Sequence, residues 1–215
     1  TTFAELLNAS ESRFGPELAV LVETLRSIRP MQVRNVATIG GSICSSLPFF
    51  DLPTALVALE AQVRVVGPSG ERVIPIEDFL VDFFLTDLKP GEFVSEVQIP
   101  KPSARTSGAF RKLETNSVDW ALVNVAVQLG KHGNEMRNVR VALGGAVGRK
   151  VIRARSVEGL LESQRASQEN ISKASQAVSN DVKPEGDFRA SSEYRTEVLK
   201  VYVRRCLESA LSRMG

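Results

Sequence analysis

Apolar positions early in the chain recur at helical spacing. Leu18, Leu21, Val22, Leu25 and Ile28 are separated by three or four residues, with Pro16 suited to a first turn and Pro30 ending the run. Thr2 and Glu5 stand in the relation of a capping box at a helix start. Residues 52–60 predict a short helix with Pro53 near its start. Residues 61–66 and 71–76 flank Gly67-Pro68-Ser69-Gly70, the pattern of a hairpin. Residues 76–84 are apolar and partly aromatic, and residues 93–99 alternate as a strand does. A Pro- and Ser-containing stretch, residues 101–107, predicts a linker. Strands are expected beyond it over residues 108–113, 121–129 and 138–143, and helices over 155–161 and 169–178. A long amphipathic helix over 191–213 carries Tyr194, Val198, Val201, Tyr202 and Leu207, with Cys206 or Arg205, at helical spacing. The pattern is that of a chain in two parts, 1–100 and 108–215, each mixing strands and helices.

Composition narrows what such a fold can do. With 43% hydrophobic and 24% charged residues the chain is globular rather than disordered. A net charge of +2, from 27 basic and 25 acidic residues, provides no strong field for nucleic acid or an anionic membrane. No apolar run approaches the ~20 residues of a membrane span. Cys44 and Cys206 are too few for a disulfide scaffold or a cysteine-held cluster. One histidine, His132, argues against a multi-histidine metal site or a Ser-His-Asp site. Residues 1–8 show no secretory signal, so a reducing, cytoplasmic setting with both thiols free is expected. Any chemistry is expected to come from a bound cofactor.

The candidate chemistry is concentrated in a few places. Thr38-Ile39-Gly40-Gly41-Ser42 serves either as a plain glycine turn or as a loop whose amides and hydroxyls cradle a phosphate. Asp51 either caps the following helix or accepts hydrogen bonds from a ribose or a ring N–H. Arg111 and Lys112, beside Phe110, either form a solvated strand face or stabilise an anionic reduced cofactor. Trp120 is expected in the core, Gly144-Gly145 at a strand-end turn, Cys44 as a small packing residue and His132 exposed in a hairpin.

The run Gln32-Val33-Arg34-Asn35-Val36-Ala37-Thr38-Ile39-Gly40-Gly41-Ser42-Ile43, followed by Pro48, Asp51 and Pro53, resembles the FAD-binding subunits of molybdenum hydroxylases. Those proteins carry Q-[IV]-R-N-x-[AG]-T-[IL]-G-G-N and then S-P-x-x-D. The likeness continues through Phe79, Thr86, Pro90-Gly91-Glu92-Phe93-Val94 and Ile99-Pro100. It resumes at Phe110-Arg111-Lys112 and Asp119-Trp120-Ala121, and ends with Asp187-Phe188-Arg189-Ala190-Ser191, Tyr194-Arg195 and Arg204-Arg205. The whole chain is similar to the medium subunits of the carbon monoxide dehydrogenase and xanthine dehydrogenase type.

The resemblance implies the second subdomain of a PCMH-type FAD-binding domain, an antiparallel sheet with flanking helices. A CO dehydrogenase flavoprotein C-terminal-like domain, with a smaller three-stranded antiparallel sheet and helices, would follow it. It implies FAD as cofactor, with Thr38, Ile39, Gly40, Gly41 and Ser42 at the pyrophosphate and Asp51 at the flavin. Ile28 would lie near the ring, Val94 would contribute its backbone, and Phe110 with Arg111 or Lys112 would adjoin the ring. Molybdenum-pterin and [2Fe–2S] clusters would sit on a large and a small partner subunit, and electrons would pass from the clusters through FAD to an acceptor. Ser42 stands where the family has asparagine, Leu47 where Ser is common, and Thr115 where arginine is frequent. The family's first FAD subdomain, with an A-G-G-T/G-G-x-S loop, has no counterpart in these residues. It is expected upstream or on a separate chain. A non-catalytic assembly module of the same descent, holding no FAD by itself, is the alternative reading.

Overall fold

The computed structural model describes residues 1–13, 15–103, 105–116 and 118–215, and for residues 11–13 the backbone alone. The expected capping box opens α1 (Phe3–Arg13). The Thr2 amide donates to Glu5 Oε2 at 2.7 Å, and the Glu5 amide donates to Thr2 Oγ1 at 3.2 Å. A 3₁₀ turn at Pro16–Leu18 leads into α2 (Ala19–Ser27), which buries Val20, Leu21, Thr24 and Leu25. Then come α3 (Met31–Val36), α4 (Ile39–Cys44) and α5 (Asp51–Ala58).

The glycine segment expected as a loop is helical: Gly40 and Gly41 lie in the first turn of α4. Glycine disfavours helix, but tertiary ties override that preference. Thr38 is extended at the N-cap, its hydroxyl accepts the Gly41 amide at 3.0 Å, and the Ile39 amide is held by the Thr1 carbonyl at 3.1 Å.

β1 (Gln62–Gly67) and β2 (Gly70–Pro75) form the expected hairpin, closed where Gly70 takes φ +109°. α6 (Ile76–Phe79), β3 (Leu80–Asp82) and β4 (Leu85–Thr86) precede β5 (Phe93–Gln98), which pairs with β1. The first sheet has the order β2-β1-β5, and its strands are antiparallel. Arg72 pins the loop before β5, meeting Glu92 at 2.7 Å and Asp87 at 2.5 Å.

The second unit begins with β6 (Thr106–Leu113), which starts inside the expected linker; Ala104 of that linker lies outside the described residues. β7 (Val123–His132), β8 (Glu135–Gly145) and β9 (Ile152–Arg153) complete a sheet of order β6-β7-β8-β9. Four strands replace the expected three. The extra one is two residues long, too short to leave a period-two signal, and pairs with Ala142 and Leu143. Gly144 and Gly145 belong to the end of β8, opposite Asn124 and Val123, rather than to a turn beyond it. α7 (Arg155–Leu161), α8 (Gln168–Gln176), α9 (Val178–Asp181) and α10 (Ser192–Ser212) follow.

β7 is buried on both faces, which explains its nearly continuous apolar run. Val123, Val125, Val127 and Leu129 pack into the core beneath α10, with Leu199, Val203, Cys206 and Leu207. Ala126 belongs to the other core, with Leu21, Leu25, Leu52 and Leu56 of the first unit. The second sheet is therefore clamped between its own helix and the helices α2 and α5. Hydrogen bonds secure the junction, two of them from backbone amides of the second unit. The Gly145 amide donates to the Pro48 carbonyl at 2.7 Å, and the Phe110 amide to Glu23 Oε2 at 2.7 Å. The start of α5, the first turn of α4 and the end of β6 thus border one cleft.

Candidate functional site

This cleft, about 470 Å³, lies where the two units meet. Its size is that of a small-molecule or cofactor site. One edge is α4. The Gly41 amide is taken by the Thr38 cap, whereas Gly40 sits at the second helical position, before the first internal helix bond. A Cβ added at Gly40 would meet nothing within 4 Å, so the backbone is open to close approach there. Two residues on, the Ser42 hydroxyl is buried in the cleft lining and has no hydrogen-bond partner among the described residues. Buried hydroxyls are nearly always satisfied, so this one marks a place where a ligand's acceptor or donor belongs.

The opposite pole is a buried charge cluster. Lys112 Nζ lies 3.0 Å from Asp51 Oδ2 and 2.8 Å from Glu114 Oε2, with side-chain exposures of 9%, 7% and 11%. Arg29 reaches Glu114 at 3.5 Å. Burial works against the Lys112 charge, but Asp51 and Glu114 outweigh it and hold the ammonium above its ordinary range. Burial pushes the Asp51 carboxyl up, against Lys112 and Asn124, which favour the ionised form. Asn124 Nδ2 donates to Asp51 Oδ1 at 3.1 Å, and Thr54 Oγ1 donates to Asn124 Oδ1 at 2.8 Å. Asp51 is not the cap of α5; that position is Phe50, and the Asp51 side chain turns to Lys112 and Asn124.

The wall between the poles is aromatic. Trp120 is not in the core but 56% exposed, stacked on Phe49 with centroids 6.1 Å apart and 15° between planes, and edge-on to Phe50. Cys44 is exposed rather than packed, and partial desolvation of its sulfur raises the thiol pKa, so it is no activated nucleophile.

Of the residues expected at a cofactor, Ile28, Thr38, Gly41, Ser42, Asp51 and Lys112 line this cleft. Ile39 and Gly40 adjoin it in the first turn of α4. Three lie elsewhere. Val94 is half-buried in β5 against the first core, and Phe110 is buried in that core. Arg111, on the face of β6 opposite Lys112, lines a neighbouring pocket with Tyr202 and Arg205, which Phe110 and Lys112 also border. Sequence reasoning missed Thr54, Asn124 and Glu114. For Asn124 a signal existed, a polar residue inside an apolar strand.

Two interlocked α+β units thus share a cleft with a helix start on one edge, an aromatic wall and a buried lysine, of a size for a small molecule or cofactor. Residues 1–102 match the family of the FAD-binding domain in molybdopterin dehydrogenase, and residues 108–210 match the CO dehydrogenase flavoprotein C-terminal domain. The chain is 31% identical over 196 residues to the carbon monoxide dehydrogenase medium chain of Hydrogenophaga pseudoflava, covering 91% of this chain and 68% of that one. It is 35% identical over 176 residues to the glyceraldehyde dehydrogenase medium chain of Sulfolobus acidocaldarius, covering 82% of this chain and 62% of the relative. It therefore spans about two thirds of the length of these relatives. A solved carbon monoxide dehydrogenase from Hydrogenophaga pseudoflava superposes with a TM-score of 0.92 at 30% identity, over 100% of this chain and 74% of its own. The chain belongs to the family of FAD-binding medium chains of the molybdenum hydroxylases. Among the described residues no helix is long and apolar enough to cross a membrane.

Proposed function

We propose that the cleft holds FAD and that this chain is the flavin-bearing, electron-transferring part of a cytoplasmic molybdenum hydroxylase. Its partners would be a molybdopterin-binding large subunit and a [2Fe–2S] small subunit. The observation that carries the reading is the buried, unpartnered Ser42 hydroxyl in the cleft lining, on the residues that resemble the family's pyrophosphate segment. The redox chemistry, taking electrons from the partner's clusters and releasing them to an acceptor, is that of the flavin.

This chain's residues supply the rest. Thr38 caps α4 and keeps its first turn in place. Gly40 admits a phosphate close to the backbone, and Ser42 offers a hydroxyl. Ile28 and the Phe49–Trp120 stack give an apolar wall for a planar ring. Lys112 keeps a proton and a positive charge in a poorly hydrated pocket, where it favours negative charge developing on a reduced ring. Asp51 and Glu114 hold that ammonium in place. Titration of FAD into the full-length apoprotein, read by flavin fluorescence, tests the reading. Wild type is expected to bind saturably and Ser42→Ala about three- to tenfold more weakly, the worth of one hydrogen bond. Equal affinities would remove Ser42 from the site, and absence of binding by wild type would overturn the reading.

A further inference from the structure

We infer that Thr54 and Asn124 are positioning residues of the cleft: their hydrogen-bonded pair fixes the Asp51 carboxylate and, through it, the Lys112 ammonium. The inference rests on the reading of the cleft as the FAD site. Both side chains are fully buried, and neither lines the cleft. They come from different units, Thr54 from α5 and Asn124 from β7. The Thr54 hydroxyl has one proton to give, and it goes to Asn124 Oδ1 at 2.8 Å. With its oxygen so occupied, the Asn124 carboxamide must present its NH₂ on the other side, where Asp51 Oδ1 accepts at 3.1 Å and the Phe50 carbonyl at 3.5 Å. Asp51 is thereby held on one oxygen by Asn124, leaving Oδ2 for Lys112 at 3.0 Å.

The sheet register is built for this arrangement. Lys112 stands opposite Asn124, and Asn124 opposite Gly144, so the three form one row across β6, β7 and β8. A Cβ at Gly144 would collide with Thr54 Oγ1 and Asn124 Oδ1 and lie 2.9 Å from the Pro48 carbonyl. The glycine makes the space in which the pair meets. A structural asparagine would need only to satisfy its own polar atoms. This one is oriented by a dedicated donor, so that its NH₂ faces one of the two carboxylates that hold the cleft lysine.

The test compares Thr54→Val, which keeps shape and loses the hydroxyl, with Thr54→Ser, which keeps the hydroxyl. Two readouts are taken on the full-length protein: FAD affinity with flavin midpoint potential, and the ¹⁵N signal of the Lys112 ammonium. The first expectation is that Thr54→Val binds FAD about three- to tenfold more weakly, has a lowered midpoint potential and loses the ordered Lys112 signal. Thr54→Ser should match wild type in all three. If wild type binds FAD and Thr54→Val matches it in affinity, potential and Lys112 signal, the positioning role is overturned. If wild type binds no FAD but its Lys112 signal is lost in Thr54→Val and kept in Thr54→Ser, the cofactor reading fails while the positioning pair stands. If neither holds, both fall. Should Thr54→Val not fold, Thr54→Ala removes the same hydroxyl and serves in its place.

Discussion

Replacing Lys112 by methionine removes the one ammonium shared by two carboxylates that are about nine-tenths buried. Methionine fills the volume of the lysine stem, so packing is retained and the perturbation is electrostatic. Breaking one partner of a buried pair costs about 3–5 kcal/mol, because a charge is left without compensation. For a chain of this size each kcal/mol moves the melting temperature by about 2–4 °C, so the variant should melt about 6–20 °C below wild type at pH 7. The pH dependence supplies a signature. Asp51, already pushed above its ordinary 3.8 by burial, rises further once Lys112 is gone. A folded-state carboxyl with a raised pKa binds more protons than the unfolded chain, so stability falls as pH rises through that pKa and returns as pH is lowered. The Lys112→Met protein should therefore regain part of its loss as pH is lowered from 7. Adding Asp51→Asn should restore more than half of it at pH 7, since the replacement needs no counter-charge. Thermal unfolding of the single and double variants across pH measures all of this. A Lys112→Met protein within about 1 kcal/mol of wild type at pH 7 would refute the reasoning.

Two further outcomes follow from individual contacts. Ser42→Ala should leave the apoprotein as stable as wild type or slightly more so, because the hydroxyl it removes is buried without a partner, even as FAD binding weakens; calorimetry on the apoprotein checks the sign. The Arg72 guanidinium, with the Lys89 amide, holds the Glu92 carboxyl down to about 2, so its contribution to stability is present above pH 4.5 and lost as pH falls toward 2; Arg72→Ala should return the Glu92 NMR titration toward 4.5.

Much of this architecture was legible from periodicity. The hairpin over β1 and β2, the strands β5, β6 and β8 and the long α10 follow from the spacing of apolar positions, and β7 from its continuous apolar run, buried on both faces. What escaped depended on contacts remote in sequence. The glycines of α4 argue against a helix, and only the pairing of Thr1 and Thr2 with residues 38 and 39 makes one. β9 is too short to show a period and exists because β8 offers it an edge. Trp120 suggests core by its size, yet it lies in the cleft wall because Phe49 and Phe50 meet it there. For the site, the glycine segment, Asp51 and Lys112 could be found by residue type and order along the chain. Arg111 beside Lys112 could not be sorted from it until strand alternation placed the two on opposite faces. Thr54 left no signal and Asn124 only that of a polar residue inside an apolar strand, since the two are 70 residues apart and meet where α5 packs across β7.

The central claim, that one FAD occupies the cleft beside α4, is tested most directly by the flavin content of the purified full-length protein, wild type against Gly40→Asp. The open space around Gly40 lets the aspartate be accommodated without a clash, so the fold should be kept, while its carboxylate would oppose a phosphate at that backbone. One flavin per wild-type chain, released as FAD on denaturation, and essentially none in a folded Gly40→Asp protein are expected. Equal flavin content in the two would contradict the claim.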